Sequence, residues 1–232
     1  MSGRVAAVVV AAGRGRRLGR PEPKAFVPLA GRPMLAYSLG ALRAVDGVGE
    51  LVVVLPTVRD RALLAAWTEL ARRYQVTASA AGGEHRWQSV AAGLGALTGE
   101  SELVLIHDAA RPLVRPELIE AVVRRAADVG AAVAARPLTD TLKEADEHLL
   151  VRRTLDRRRY WRAETPQVFR RALILEAYGR AGELQPTDDA QLVEAMGAAV
   201  AVVENPGPNP KITTPDDLLL AEQLLGGRSP GT

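Results

Sequence analysis

At 232 residues the chain has room for one substantial domain, and with 47% apolar and 25% charged residues it buries a core, which excludes a disordered segment. Without cysteine there are no disulfides, thiolate nucleophiles or thiolate-held zinc, so any metal must sit on oxygen or imidazole. No apolar run approaches the roughly 20 residues of a membrane span, the start runs into a strand instead of a signal peptide, and a net charge of +3 with 4% aromatics provides no nucleic-acid surface; a cytoplasmic protein with no membrane or nucleic-acid partner is expected.

In chain order, apolar runs at 5–11, 51–55, 76–80, 103–106, 131–135 and 199–203 are short and rich in Val and Ala, as strands buried on both faces are. Segments 34–45, 59–73, 87–97, 116–129, 170–181 and 215–225 repeat apolar residues at three- and four-residue spacing and are predicted helices. Pro116 and Pro215 suit first helical positions. This alternation predicts a single α/β domain over 1–225, a Rossmann-like three-layer α/β/α sandwich on a mostly parallel twisted sheet. Residues 136–164 break the rhythm with high charge and no helical face, and predict a β-hairpin arm projecting from the sheet. Residues 226–232 are expected to form a flexible tail.

After the first strand comes Ala11-Ala12-Gly13-Arg14-Gly15-Arg16-Arg17-Leu18-Gly19. A dinucleotide fingerprint requires glycine at the sixth position and a helix opening at once. Leu18 holds that position, and Pro21 and Pro23 keep the chain out of helix until after Lys24, which excludes a nicotinamide enzyme. What remains is a glycine-hinged cationic loop at the carboxyl end of a buried strand, where open α/β sheets place ligands. Backbone amides around Ala12, Gly13 and Gly15, with Arg14, Arg16, Arg17 and Lys24, suit a triphosphate; a solvated loop in an Arg-rich protein is the other reading.

Of the 30 basic residues only Lys24, Lys143 and Lys211 are lysine, so these mark places where a compact ammonium does what a planar guanidinium does not. Asp108 ends the buried run 103–106 and is followed by two small alanines, which presents one carboxylate at the sheet edge and suits Mg²⁺ or another divalent cation. His107 points to the opposite face and reads as structural. Gly82-Gly83 with Ser89 allows close backbone approach to a base, or equally a tight strand-to-helix turn.

Taken together, the loop with Pro23-Lys24, Gly82-Gly83-x-x-Arg86-x-x-Ser89-Val90, His107-Asp108-Ala109-Ala110-Arg111-Pro112, Asp140-Thr141-Leu142-Lys143, Thr165-Pro166-Gln167, Thr187-Asp188-Asp189-Ala190 and Lys211-Ile212-Thr213 resemble, in order, the 2-C-methyl-D-erythritol 4-phosphate cytidylyltransferase family of the non-mevalonate isoprenoid pathway. The resemblance implies transfer of CMP from CTP to a polyol phosphate. It implies phosphate contacts by Arg17, Lys24 and Lys211, with base and ribose read by Gly82, Gly83 and Ser89. It implies acceptor contacts by Arg111, Thr141, Arg157, Thr165 and Thr187. It also implies a homodimer whose hairpin arms cross, so that Thr141 and Arg157 serve the second copy's site. Glu164, where Gln or Leu is more familiar, and Pro210 before Lys211 depart from the pattern. A cytidylyltransferase for another polyol phosphate such as ribitol 5-phosphate, or a non-catalytic nucleotide-binding module, are the alternative readings.

Overall fold

The computed structural model describes residues 5–57, 60–182 and 184–227. The first strand, β1 (Val5–Val10), is followed by a long loop with two 3-10 turns, Arg16–Leu18 and Lys24–Phe26. A two-residue pair, β2 (Pro28–Leu29) and β3 (Arg32–Pro33), leads into α1 (Met34–Arg43), β4 (Val48–Leu55), α2 (Arg61–Arg73), β5 (Ala78–Ala81), α3 (Arg86–Gly95), β6 (Leu103–Asp108) and α4 (Pro116–Val129). The second half carries β7 (Ala131–Pro137), a hairpin of β8 (Lys143–Ala145) and β9 (Val151–Thr154), β10 (Trp161–Arg170), α5 (Arg171–Gly179), α6 (Asp189–Ala195), β11 (Ala201–Glu204) and α7 (Pro215–Gly226).

Seven strands form one sheet in the order β11-β7-β10-β6-β1-β4-β5. All neighbours pair in parallel except β10, which is antiparallel to both β6 and β7. Because β1 is buried on both faces, its alternate residues feed two cores. Val5, Ala7 and Val9 pack with Leu39 of α1, Leu70 of α2 and Ile119 of α4. Ala6 and Val8 pack with Leu94 of α3, Ile174 of α5 and Val193 of α6 on the other face. The result is the expected three-layer α/β/α arrangement.

The predicted helices occur with ends shifted by a few residues; position 59 of the second lies outside the described residues, and α2 opens at Arg61 with Asp60 capping the Ala62 and Leu63 amides. Two elements depart from expectation. The segment 161–170, divided in the sequence reading between the arm and a polar motif, is a central strand. Pro166 lacks a ladder donor, and the pairing of β10 with β7 shifts register between Ala163 and Gln167, which accommodates it. The helix α6 has only seven residues, too few to show periodicity, and is announced by Asp188, whose carboxylate accepts the Gln191 amide at 3.1 Å. Between β7 and β10 the chain forms a separate two-stranded antiparallel hairpin of β8 and β9. Of the expected tail, residue 226 ends α7, and 228–232 lie outside the described residues.

Candidate active site

Going from β1 through β4 to β5 the chain moves outward on one side, and β6 then returns to the other side of β1. The carboxyl ends of β1 and β6 therefore flank the point where the winding reverses, and a crevice opens there. Its volume is about 970 Å³. Parallel pairing sets Val10 beside Asp108, and the Ala109 amide donates to the Val10 carbonyl at 3.0 Å, so both loops leave the sheet at one level.

The glycine loop forms one wall. Gly15 adopts a left-handed conformation, φ 66°, and a Cβ there would lie 2.8 Å from Cβ of Lys24. The Lys24 amide donates to the Gly13 carbonyl at 3.3 Å, folding the loop back on itself. Leu18 anchors it in a small core with Val27, Leu29, Met34, Leu113 and Ile212. Ile212 also ties down its neighbour Lys211, since its amide donates to the Ala110 carbonyl at 2.8 Å. Asp217 at the start of α7 accepts from the Thr213 amide and hydroxyl, both at 2.7 Å, and holds the same segment.

A second wall comes from the β5–α3 turn. Gly82 abuts Ala12 so closely that a Cβ would stand 2.2 Å from the alanine Cβ. The Ser89 hydroxyl accepts the Gly83 amide at 3.1 Å and donates to the His85 carbonyl at 3.3 Å. The segment is a capped strand-to-helix turn that also lines the cleft.

Asp108 forms the floor. Lys211 Nζ lies 2.7 Å from one carboxylate oxygen and Arg86 Nε 2.9 Å from the other. Burial pushes the Asp108 carboxyl up, but Arg86 and Lys211 outweigh it and hold it well below the usual carboxylate range. Arg86 also reaches both oxygens of Asp189, at 3.0 and 2.8 Å, and the Tyr178 hydroxyl donates to Asp189 at 2.6 Å. Asp189 is fully buried. Gln167 on β10 sets it in place, accepting the Asp189 and Ala190 amides and donating to Asp188 at 2.9 Å. In the sequence, Arg86 and Asp189 stand in two separate motifs with no assigned role. The sequence signal for their pairing is the opposite charge of two motif residues 103 positions apart.

Lys24 stands among these charges. Burial, then Lys211, and further Arg17, lower its pKa from 10.5 to about 8 against the opposing pull of Asp108. His107, by contrast, is fully buried and absent from the cleft lining. Its Nε2 donates to the Arg111 carbonyl at 3.3 Å, so its Nδ1 accepts from the Thr165 hydroxyl at 3.1 Å. Burial lowers its pKa to about 4, keeping it neutral.

Of the residues expected from sequence, Ala12, Gly13, Gly15, Arg17, Lys24, Gly82, Gly83, Ser89, Asp108 and Lys211 all line this one cleft. Arg111, Thr141, Arg157, Thr165 and Thr187 do not line it. The Thr165 hydroxyl is used internally, since it also accepts the Asp108 amide at 3.0 Å. Arg111 donates to the Asn209 carbonyl at 2.7 Å, and its Nε is buried without a hydrogen-bond partner among the described residues. Thr187 is exposed just before α6, with its amide on Gln191. Thr141 and Arg157 flank the outer hairpin instead of lying on it, both exposed, with the Arg157 guanidinium on the Thr139 carbonyl. A wider depression of about 1560 Å³ lies at the amino ends of β1 and β6, lined by Val5, Leu103, Arg170 and Arg171 among others. It contains none of the expected residues, and its size alone gives it no chemistry.

No group of three or more His, Cys, Asp or Glu able to hold a metal occurs among the described residues. Asp108 is nonetheless a fit for a hard divalent cation: an ionised carboxylate in a cationic cleft, of the kind that shares Mg²⁺ with substrate phosphates.

Comparison with known proteins identifies the family of the chain. The family model described as "IspD: 2-C-methyl-D-erythritol 4-phosphate cytidylyltransferase" matches residues 5–227. The chain is 41% identical to 2-C-methyl-D-erythritol 4-phosphate cytidylyltransferase of Pelotomaculum thermopropionicum over 97% of this chain and 95% of that protein. It is 42% identical to the enzyme of that name from Geobacillus kaustophilus, over 96% and 97% of the two chains. The crystal structure of 2-C-methyl-D-erythritol 4-phosphate cytidylyltransferase from Thermus thermophilus superposes with a TM-score of 0.75 at 36% identity, covering 97% of this chain and 98% of that one. The 4-diphosphocytidyl-2C-methyl-D-erythritol synthase structure from Anaerococcus prevotii superposes with a TM-score of 0.84 at 29% identity, covering 97% and 99%. The chain belongs to the 2-C-methyl-D-erythritol 4-phosphate cytidylyltransferase family.

Proposed function

We propose that this protein transfers CMP from CTP to 2-C-methyl-D-erythritol 4-phosphate, releasing pyrophosphate. An oxygen of the acceptor phosphate forms a bond to the α-phosphorus, and the bond from that phosphorus to the bridging oxygen of the β-phosphate breaks. The nucleophile is already an anion, so no strong general base is required. The demand is for fixed positive charge that brings two anions together and absorbs charge in the transition state. Arg17, Lys24 and Lys211 serve this purpose at the α- and β-phosphates. Gly82, Gly83 and Ser89 hold the base and ribose beside the glycine loop of Ala12, Gly13 and Gly15.

The observation that carries the reading is the convergence of Arg17, Lys24, Asp108 and Lys211 on one crevice at the carboxyl edge of the sheet. Asp108 would hold Mg²⁺ or another divalent cation, which when bound neutralises triphosphate charge. The acceptor is assigned to Arg111, Thr165 and Thr187, with Thr141 and Arg157 supplied by the arm of a second copy. None of these five lines the nucleotide cleft, so the reading puts the acceptor beside it, with Thr141 and Arg157 brought by the second copy. The reading includes a cytoplasmic location, because both substrates are multiply charged; no described helix is long and apolar enough to cross a membrane.

The test is pyrophosphate release from CTP with Mg²⁺ and a series of polyol phosphates. Release with methylerythritol phosphate well above that with ribitol 5-phosphate is expected. Equal or faster turnover of ribitol 5-phosphate would overturn the acceptor, and CTP binding without release for any acceptor would leave a nucleotide-binding module.

A further inference from the structure

We propose that Arg86 is a positioning residue of the nucleotide cleft: anchored on Asp189, it keeps one oxygen of Asp108 and so leaves the Lys211–Asp108 pair as the one that opens toward a bound triphosphate. The inference rests on the cytidylyltransferase reading and assigns a role within that site.

Asp108 has two cationic partners, and they are held differently. Among the described residues Lys211 makes one ion pair, with its side chain 41% exposed, on a segment outside any helix or strand. Arg86 is the first residue of α3 and its side chain is 23% exposed. Its backbone is fixed at the helix start, where Gln88 accepts the His85 amide at 2.8 Å. Its head is fixed by a two-pronged contact with Asp189, leaving Nε for Asp108. Asp189 in turn is held by the Tyr178 hydroxyl and, through its amide, by Gln167. A planar guanidinium fills this geometry because its five donors point in fixed directions; an ammonium cannot.

The consequence concerns charge. A triphosphate entering the cleft competes with Asp108 for Lys211. Were Lys211 the sole partner, its release would leave a buried carboxylate uncompensated beside incoming anions, which is strongly unfavourable. With Arg86 retained, Asp108 stays paired and Lys211 is free to move to phosphate. The network also ends two residues from Thr187, so the acceptor-side loop and the nucleotide floor share one rigid support.

A double-mutant cycle on metal-free CTP binding, measured by calorimetry in EDTA, tests this. In the wild-type background Lys211→Ala is expected to weaken binding about tenfold. In the Arg86→Ala background, where Lys211 stays on Asp108, the same change is expected to cost less than about threefold. Additive effects of the two substitutions would overturn the proposal. Arg86→Lys, which keeps the charge and loses the fork, is the second background should Arg86→Ala fail to fold, and the same non-additivity is expected. In turnover, Arg86→Lys should lower kcat about 30-fold or more, and it should weaken metal-free CTP binding by about as much as Lys211→Ala does in the wild-type background. Unchanged kcat in Arg86→Lys would overturn the assignment. A wild-type protein that shows the non-additive binding but no CMP transfer would defeat the transferase reading and leave the Arg86 role standing.

Discussion

At the scale of single residues, Lys24 is the group whose chemistry most directly depends on its surroundings. Its pKa of about 8 means that it is charged below that pH and neutral above it. Only the charged form can oppose phosphate charge, so kcat/KM, which reports the free enzyme, should fall as pH rises through about 8. A profile flat from pH 7 to well above this value, compared with Lys24→Ala, would show that Lys24 does not titrate in the rate-limiting process. Lys24→Ala itself should lose roughly 100- to 1000-fold in kcat, the scale seen when one preorganised electrostatic group is removed. Rarity pointed to Lys24 and Lys211 in the sequence, and both line the cleft. It also pointed to Lys143, which lies on the arm with its ammonium 2.7 Å from the Thr154 hydroxyl. Composition marks where lysine survives without distinguishing a phosphate site from a surface contact.

At the scale of elements, the cleft depends on how closely α3 seats against the sheet. A Cβ on Gly93 would lie 2.4 Å from a methyl of Val8 and 2.8 Å from one of Val54, both on fully buried strand residues with stiff side chains. Gly93→Ala gains up to about 1 kcal/mol of helix propensity, but overpacking costs about 1–3 kcal/mol. A net loss is expected, seen as a Tm lowered by about 2–4 °C per kcal/mol for a chain of this size. An unchanged or raised Tm would mean that the helix moves away from the sheet without cost. Because α3 carries both Arg86 and Ser89, the same variant should bind CTP more weakly. The β10–α6 pair shows the converse dependence: Gln167 on the strand caps the helix that presents Asp189, so neither element is meaningful without the other.

At the scale of the whole molecule, the arm is the feature that does not serve its own core. Leu149, Leu150 and Val151 are 85%, 65% and 61% exposed, an apolar tip that a second copy would cover under the homodimer reading. Replacing Leu149 and Leu150 by Asp should leave the thermal transition of the core in place while sedimentation shows a shift to monomer. Turnover should fall through KM for the acceptor, since Thr141 and Arg157 would leave the second copy's site. A variant that remains dimeric would remove the arm tip from the interface.

Much of this protein is decided by local pattern. The Val- and Ala-rich runs, the helix periodicities and the Leu18 break in the glycine loop dictate a three-layer α/β fold and exclude a dinucleotide site, because burial on both faces and proline geometry act over a few residues at a time. The convergence of Arg17, Lys24, Asp108 and Lys211 follows from strand order, which brings the ends of β1 and β6 side by side. The central strand through Pro166, the short helix at Asp189 and the fork of Arg86 across two carboxylates were settled only in three dimensions. Each depends on partners more than 20 positions away, and a hydrogen bond or ion pair at that separation leaves no periodic trace in the chain that makes it.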